Sequence, residues 1–140
     1  MAVSAGELKV GDSRELLLTD DLTRTQIVQY AGASGDYNPL HTDEVFATQA
    51  AGYPSVFAHG MLTMGMTGRM VTDLVGDGRL TEFGGRFTSQ VYPGDDLTTT
   101  ARVEAITDVA GEPAVELSLS TVNQDGVEVF SGRAVARLDP

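Results

Sequence analysis

The chain reads as an α+β fold: a curved antiparallel sheet of five or six strands, one face of it covered by a long apolar helix. Three observations predict this. The texture changes near residue 80, from helical and loop patterns to runs that alternate polar and apolar residues. Residues 59–75 carry apolar groups on nearly all sides, the mark of a buried helix. The runs after residue 80 are joined by turn-forming residues, which suits antiparallel neighbours.

The elements follow in order. A first strand is expected at 15–18. Thr23-Arg24-Thr25-Gln26 forms a capping box, and Ile27, Val28 and Ala31 follow at helical spacing, so a short helix is expected over 24–32, ending at Gly32. Thr42 can cap a second short helix with Asp43 and Glu44 in its first turn, where the macrodipole favours acids, and Gly52 and Pro54 stop it. The long helix over 59–75 ends at Gly76. Gly65 and Gly68 would each weaken it by about 1 kcal/mol relative to Ala, so sheet backbone is expected close beside them. Four strands are expected over 82–91, 96–107, 114–123 and 127–138. Period-2 alternation is clearest at Leu97, Thr99, Ala101 and Val103 and at Val115, Leu117, Leu119 and Thr121. The connectors are Tyr92-Pro93-Gly94-Asp95, a loop around Gly111 and Pro113, and Gln124-Asp125-Gly126, a hairpin signal.

With 140 residues, 41% hydrophobic and 21% charged, the chain suits one globular domain with a real core, residues 1–140. It has no cysteine and two histidines, so disulfides and thiolate metal sites are unavailable and no metal or other cofactor is expected. No window approaches the roughly 20 apolar residues of a membrane span, and no basic-then-apolar leader opens the chain, which implies a cytoplasmic protein. A net charge of −11 repels nucleic acid and anionic membranes. An anionic ligand would need a local basic patch. Its candidates are arginines, eight against one lysine, with Arg69, Arg79, Arg86, Arg102 and Arg133 in the second half; each is as readily a solvated surface charge.

Chemistry concentrates in Tyr-Ala-Gly-Ala-Ser-Gly-Asp-Tyr-Asn-Pro-Leu-His-Thr-Asp, residues 30–43, where Asp36 and His41 stand five positions apart on a segment that cannot be regular helix. Proline fixes its own φ and pushes Asn38 toward extended geometry, so the loop is stiff enough to hold an acid and a base in fixed relation. The same residues also suit a plain turn, with Asp36 accepting backbone N–H groups and His41 serving as a polar boundary residue.

The string Gly35-Asp36-Tyr37-Asn38-Pro39-Leu40-His41-x-Asp43, followed by Ala58-His59-Gly60-Met61, closely resembles the signature of the MaoC-like dehydratases, also called hydratase 2 or (R)-specific enoyl hydratases. The likeness runs from about Val10 to the last strand. It implies a hot-dog fold, a curved antiparallel sheet wrapped around a long central helix, and a dimer whose two sheets join. It further implies reversible hydration of 2-enoyl thioesters, or dehydration of (R)-3-hydroxyacyl thioesters, carried by coenzyme A or an acyl-carrier protein. Asp36 and His41 would share one water and move its proton as general acid and base, with the division of roles between them open. The Gly60 N–H, at the start of the long helix, would stabilise the enolate oxygen.

Around these, His59 is expected as a satisfied structural polar group beside the donor, Asn38 as a loop residue that orients Asp36, and Tyr37 and Tyr53 as packing or as lining at a tunnel mouth. Two-module members of the family are twice as long, and their second, inactive module widens the acyl pocket. The motifs also resemble mycobacterial-type hydroxyacyl-carrier-protein dehydratase subunits, which work with a partner lacking the dyad, so a homodimer and such a heterodimer are both open. Two other functions fit the residues: a hot-dog thioesterase, and a non-catalytic acyl-binding subunit of a dehydratase complex.

Overall fold

A computed structural model describes residues 3–140; positions 1 and 2 of the expected domain lie outside the described residues. Five strands form one antiparallel sheet: β1 (Ser13–Thr19), β2 (Leu80–Phe87), β3 (Leu97–Val109), β4 (Glu112–Val122) and β5 (Glu128–Arg137), in the spatial order β1-β3-β4-β5-β2. Two α-helices accompany it, α1 (Arg24–Ser34) and α2 (Gly60–Val75), with short helical turns at Ala5–Glu7, Pro39–His41 and Phe46–Ala50. This is the expected hot-dog architecture.

The alternation works as expected in the centre of the sheet. Leu97, Thr99, Ala101 and Val103 of β3 and Val115, Leu117, Leu119 and Thr121 of β4 are all buried, and in register Ala101 faces Leu119 while Val103 faces Leu117. Met70, Val71 and Val75 of α2 pack against that face together with Ala134 and Ala136 of β5. Each Val, Leu or Met side chain among them contributes roughly 1.5–3 kcal/mol when fully buried. One polar cluster interrupts the apolar contact. Thr67 Oγ1 on α2 lies 2.8 Å from Thr121 Oγ1, which lies 2.6 Å from Thr99 Oγ1, and the Thr67 hydroxyl also donates to the Thr63 carbonyl at 3.0 Å. Three buried hydroxyls therefore satisfy one another and pin the helix to β3 and β4.

Several expectations need correction. The strand expected over 82–91 ends at Phe87 and pairs with β5, not with β3. Past it, Val91 leaves the sheet and its carbonyl accepts the Ala58 N–H at 2.7 Å, so this stretch holds the segment before α2 instead. Helix α1 runs through Gly32 to Ser34 and stops at Gly35, whose φ of 74° is the left-handed geometry that ends helices. The expected Thr42-capped α-helix is a bulged π turn over Phe46–Ala50, and its cap is Asp43, whose carboxylate accepts the Phe46 N–H at 3.0 Å. Around α2, the sheet backbone does not approach the glycines. A Cβ at Gly68 would meet the Phe83 ring at 3.0 Å, and Gly65 faces open space. Nor is α2 buried all round: Met61, Gly65, Arg69 and Asp73, spaced four apart, form an exposed stripe. Pro113, expected in a loop, lies within β4 and pairs opposite Asp108. Among the described residues no helix is long and apolar enough to cross a membrane.

Candidate active site

The capping box at Thr23 forms as the sequence suggests: Gln26 N–H donates to Thr23 Oγ1 at 3.0 Å, and Thr23 N–H donates to Gln26 Oε1 at 2.9 Å. Helix α1 thus delivers Asp36 immediately past Gly35. Two consecutive side-chain turns then shape the loop. Asp36 Oδ1 accepts the Asn38 N–H at 3.2 Å, and Asn38 Oδ1 accepts the Leu40 N–H at 3.0 Å. Asp36 therefore makes the plain turn that its sequence also suits, and among the described residues its second carboxylate oxygen has no partner.

His41 closes the short turn that Pro39 begins and is only 9% exposed. Its Nδ1 lies 2.6 Å from the Phe57 carbonyl oxygen. A carbonyl can only accept, so Nδ1 carries the proton and Nε2 is left with a lone pair. The Phe57 ring stands edge-on to it at 5.4 Å. His59, 2% exposed, stacks on His41 with ring centroids 3.8 Å apart and planes 24° from parallel. Polar side-chain atoms of Asp36, His41 and His59 all lie within 4.8 Å of one another. Three points so spaced share a position within about 2.8 Å of each, a hydrogen-bond distance, so one water can bridge the acid and the base.

Among the described residues this trio is also the group that could hold a metal ion. Imidazoles that share one ion at 2.0–2.1 Å point at it with ring centres about 5 Å apart, so two rings stacked at 3.8 Å are arranged for contact rather than for joint ligation.

Gly60 begins α2, with His59 as the residue before it and no side chain capping the helix. The His59 carbonyl accepts Leu62 N–H at 3.0 Å and Thr63 N–H at 3.4 Å, whereas among the described residues no acceptor takes the Gly60 N–H. Gly60 lines a cavity of about 290 Å³ with Ala58, Thr63, Phe87, Val91 and Val129 among its walls. A Cβ at Gly60 would sit 3.0 Å from the Phe87 ring. Of the expected site residues, Gly60 alone lines this cavity. Asp36 and His41 are not among its walls; His41 adjoins it through Phe57, which contributes both a cavity wall and the carbonyl that orients His41.

Tyr37 is 70% exposed, and Tyr53 packs on the Phe57 ring at 4.7 Å, away from the cavity wall. Behind Phe57, burial raises the Tyr92 hydroxyl above its ordinary pKa of 10.0, with smaller contributions from Tyr53 and Asp95. Sequence reasoning missed Phe57, Thr63, Phe87 and Val129. Thr63 had a signal, since it stands three residues after Gly60 on the same helical face; Phe87 and Val129 come together only through the β2–β5 pairing. The arginines do not form a patch. Arg69 pairs with Asp73, Arg79 with Asp139, and Arg133 with Glu82 and Glu116; among the described residues Arg86 and Arg102 make no ion pair.

Comparison with known proteins identifies the family and the fold. A family model described as "MaoC like domain" matches residues 7–124. The chain is 38% identical over 108 residues to a 3-hydroxyacyl-thioester dehydratase of Mycobacterium tuberculosis, an alignment covering 71% of this chain and 37% of that protein. It is 29% identical over 140 residues to the (R)-specific enoyl-CoA hydratase of Aeromonas caviae, covering 97% and 99%. The solved structure of an A. caviae (R)-hydratase superimposes with a TM-score of 0.83 at 26% identity, over 96% of this chain and 99% of the other. An R-hydratase of Pseudomonas aeruginosa gives 0.84, also at 26%, over 99% and 88%. The chain spans about a third of the length of the mycobacterial dehydratase.

Proposed function

Because this chain belongs to the MaoC-like domain family, with 7–124 matching the family model, we propose that residues 1–140 act as one domain that adds water reversibly to 2-enoyl thioesters, giving (R)-3-hydroxyacyl thioesters. One observation carries the reading: the Asp36 and His41 side chains reach within 4.8 Å of each other, next to the helix start whose Gly60 N–H has no partner. His41 Nε2 takes a proton from the bridging water as its oxygen bonds to C3. The C2–C3 double-bond electrons shift toward the thioester oxygen, where the Gly60 N–H meets the developing enolate. The proton that His41 took from water passes through Asp36 to C2, so the thioester carbonyl re-forms, the 3-hydroxyacyl product leaves and both side chains return to their starting states. In the dehydration direction each transfer reverses. A donor placed this way typically contributes about 2.7–4 kcal/mol to the transition state. The acyl group is carried by coenzyme A or an acyl-carrier protein, and the working unit is a pair of chains.

The test mixes the purified protein with crotonyl-coenzyme A, longer 2-enoyl-coenzyme A esters and a carrier-protein thioester, following absorbance of the conjugated enoyl group and, in parallel, thiol release. Loss of absorbance without free thiol is the expected result. Free thiol would make the protein a thioesterase instead, and no change with any substrate would overturn the assignment.

A further inference from the structure

His59 is a buried imidazole that the proposed reaction does not use, yet its contacts reach all three groups that the reaction does use. Its Nε2 lies 3.0 Å from the main-chain oxygen of Asp36. The carbonyl must accept, so Nε2–H is the donor and clamps the acid's own peptide unit. One face of the ring stacks on His41 at 3.8 Å, and the edge of Tyr30 closes on it at 4.8 Å. Its backbone precedes Gly60 and accepts the first hydrogen bonds of α2. Its Nδ1 is buried and makes no hydrogen bond among the described residues. A residue needed only to satisfy a helix start would turn Nδ1 toward the free amides there, as capping side chains do, and the helix shows no such bond.

We propose that His59 is a positioning residue that sets the Asp36 loop and the His41 ring in register with the Gly60 donor. Asp36 is exposed and stands on a loop, and a displacement of about 1 Å in a reacting group can cost about a hundredfold in rate. Apart from this hydrogen bond, Asp36 has local turn contacts: its N–H donates to Ser34 Oγ at 3.2 Å and its Oδ1 accepts the Asn38 N–H at 3.2 Å. The 23-residue separation between His59 and Asp36 makes it a long-range tie from the acid itself to the residue before α2, beside the bonds of Leu40 and His41 to Phe57.

The inference rests on the hydration reading, and three substitutions test it. His59→Gln places an amide N–H near the position of Nε2, His59→Asn is a methylene too short to reach the Asp36 carbonyl, and His59→Leu fills the volume without a donor. With wild type turning over, Gln is expected to keep kcat within about fivefold. Asn and Leu are expected to lower it by about 30-fold or more with KM changed less than about threefold, since the substrate is not touched. Equal loss in all three variants, no loss in any, or loss confined to KM would overturn the inference and leave the hydratase reading standing. An inactive wild type sinks both. The tautomer is checked on the wild-type protein by long-range 15N–1H correlation of the imidazoles, independently of whether any variant folds. A proton on His59 Nε2 is expected, and a ring protonated on Nδ1 alone would overturn the proposal.

Discussion

Asp36 makes a structural contact and stands within reach of a base, and the catalytic role proposed for it rests on the second of these. One oxygen closes the turn at Asn38, and the carboxylate also lies within reach of His41. Asp36→Asn preserves a turn acceptor while removing the proton shuttle, so it is expected to fold normally and lose about 10²–10⁴ in kcat, as is His41→Ala; kinetics alongside thermal melts checks both. Gly60 is limited by space rather than by φ. Gly60→Ala would place a methyl 3.0 Å from Phe87, a ring 51% exposed and free to swing, so melting should shift little while kcat/KM falls as the methyl narrows the cavity beside the donor. Glu44 offers a pH prediction. Its carboxylate bonds Arg24 at 2.7 Å and accepts the Val56 N–H at 3.2 Å, which together hold it below its ordinary 4.5, the Arg24 bond being the larger cause. A carboxylate lowered in the fold stabilises it above 4.5 and loses that effect as pH falls through the lowered value. The stability difference between wild type and Glu44→Gln, measured by urea melts, is therefore expected to be constant near neutral pH and to shrink as pH drops below 4.5.

At the level of elements, patterning was readable wherever one periodicity met one environment. Leu117, Leu119 and Thr121 alternate because β4 lies between two strands with one face on the core, and Thr23 to Gln26 cap α1 through bonds only three residues long. What escaped depended on distant partners. Nothing in residues 82–91 shows that the strand leaves the sheet at Phe87, because the alternative partner of Val91 is Ala58, more than thirty positions away. The same holds in the site: Asp36, His41 and Gly60 were legible as motifs, whereas the walls at Phe87 and Val129 depend on β2 joining β5. That junction is close-packed. A methyl at Gly85 would run into the Ser131 main-chain oxygen and lie 2.6 Å from the Phe130 ring, so Gly85→Ala is expected to destabilise by more than about 2 kcal/mol in denaturant melts. Thr121→Val would strip Thr99 of its 2.6 Å partner inside the core and is expected to cost about 1–3 kcal/mol.

For the molecule as a whole, the sheet ends in β1 and β2, and the exposed apolar side chains Met61 (54%) and Phe87 (51%) stand on α2 and on edge strand β2. Edges and apolar residues of this kind invite a second copy. Sedimentation should therefore give about twice the 14.8 kDa chain mass, and a monomer at micromolar concentration would count against pairing. An acidic surface with its arginines mostly in ion pairs offers no broad attraction for an anionic carrier, so weak dependence of KM on added salt is expected. All of this depends on an acid, a base and a main-chain donor addressing one substrate, and the crystal structure of a complex with an unreactive acyl thioester examines that most directly. The thioester oxygen is expected within hydrogen-bond distance of Gly60 N, with C2 and C3 facing Asp36 and His41; an acyl group bound elsewhere, or one with those side chains turned from it, would contradict the assignment.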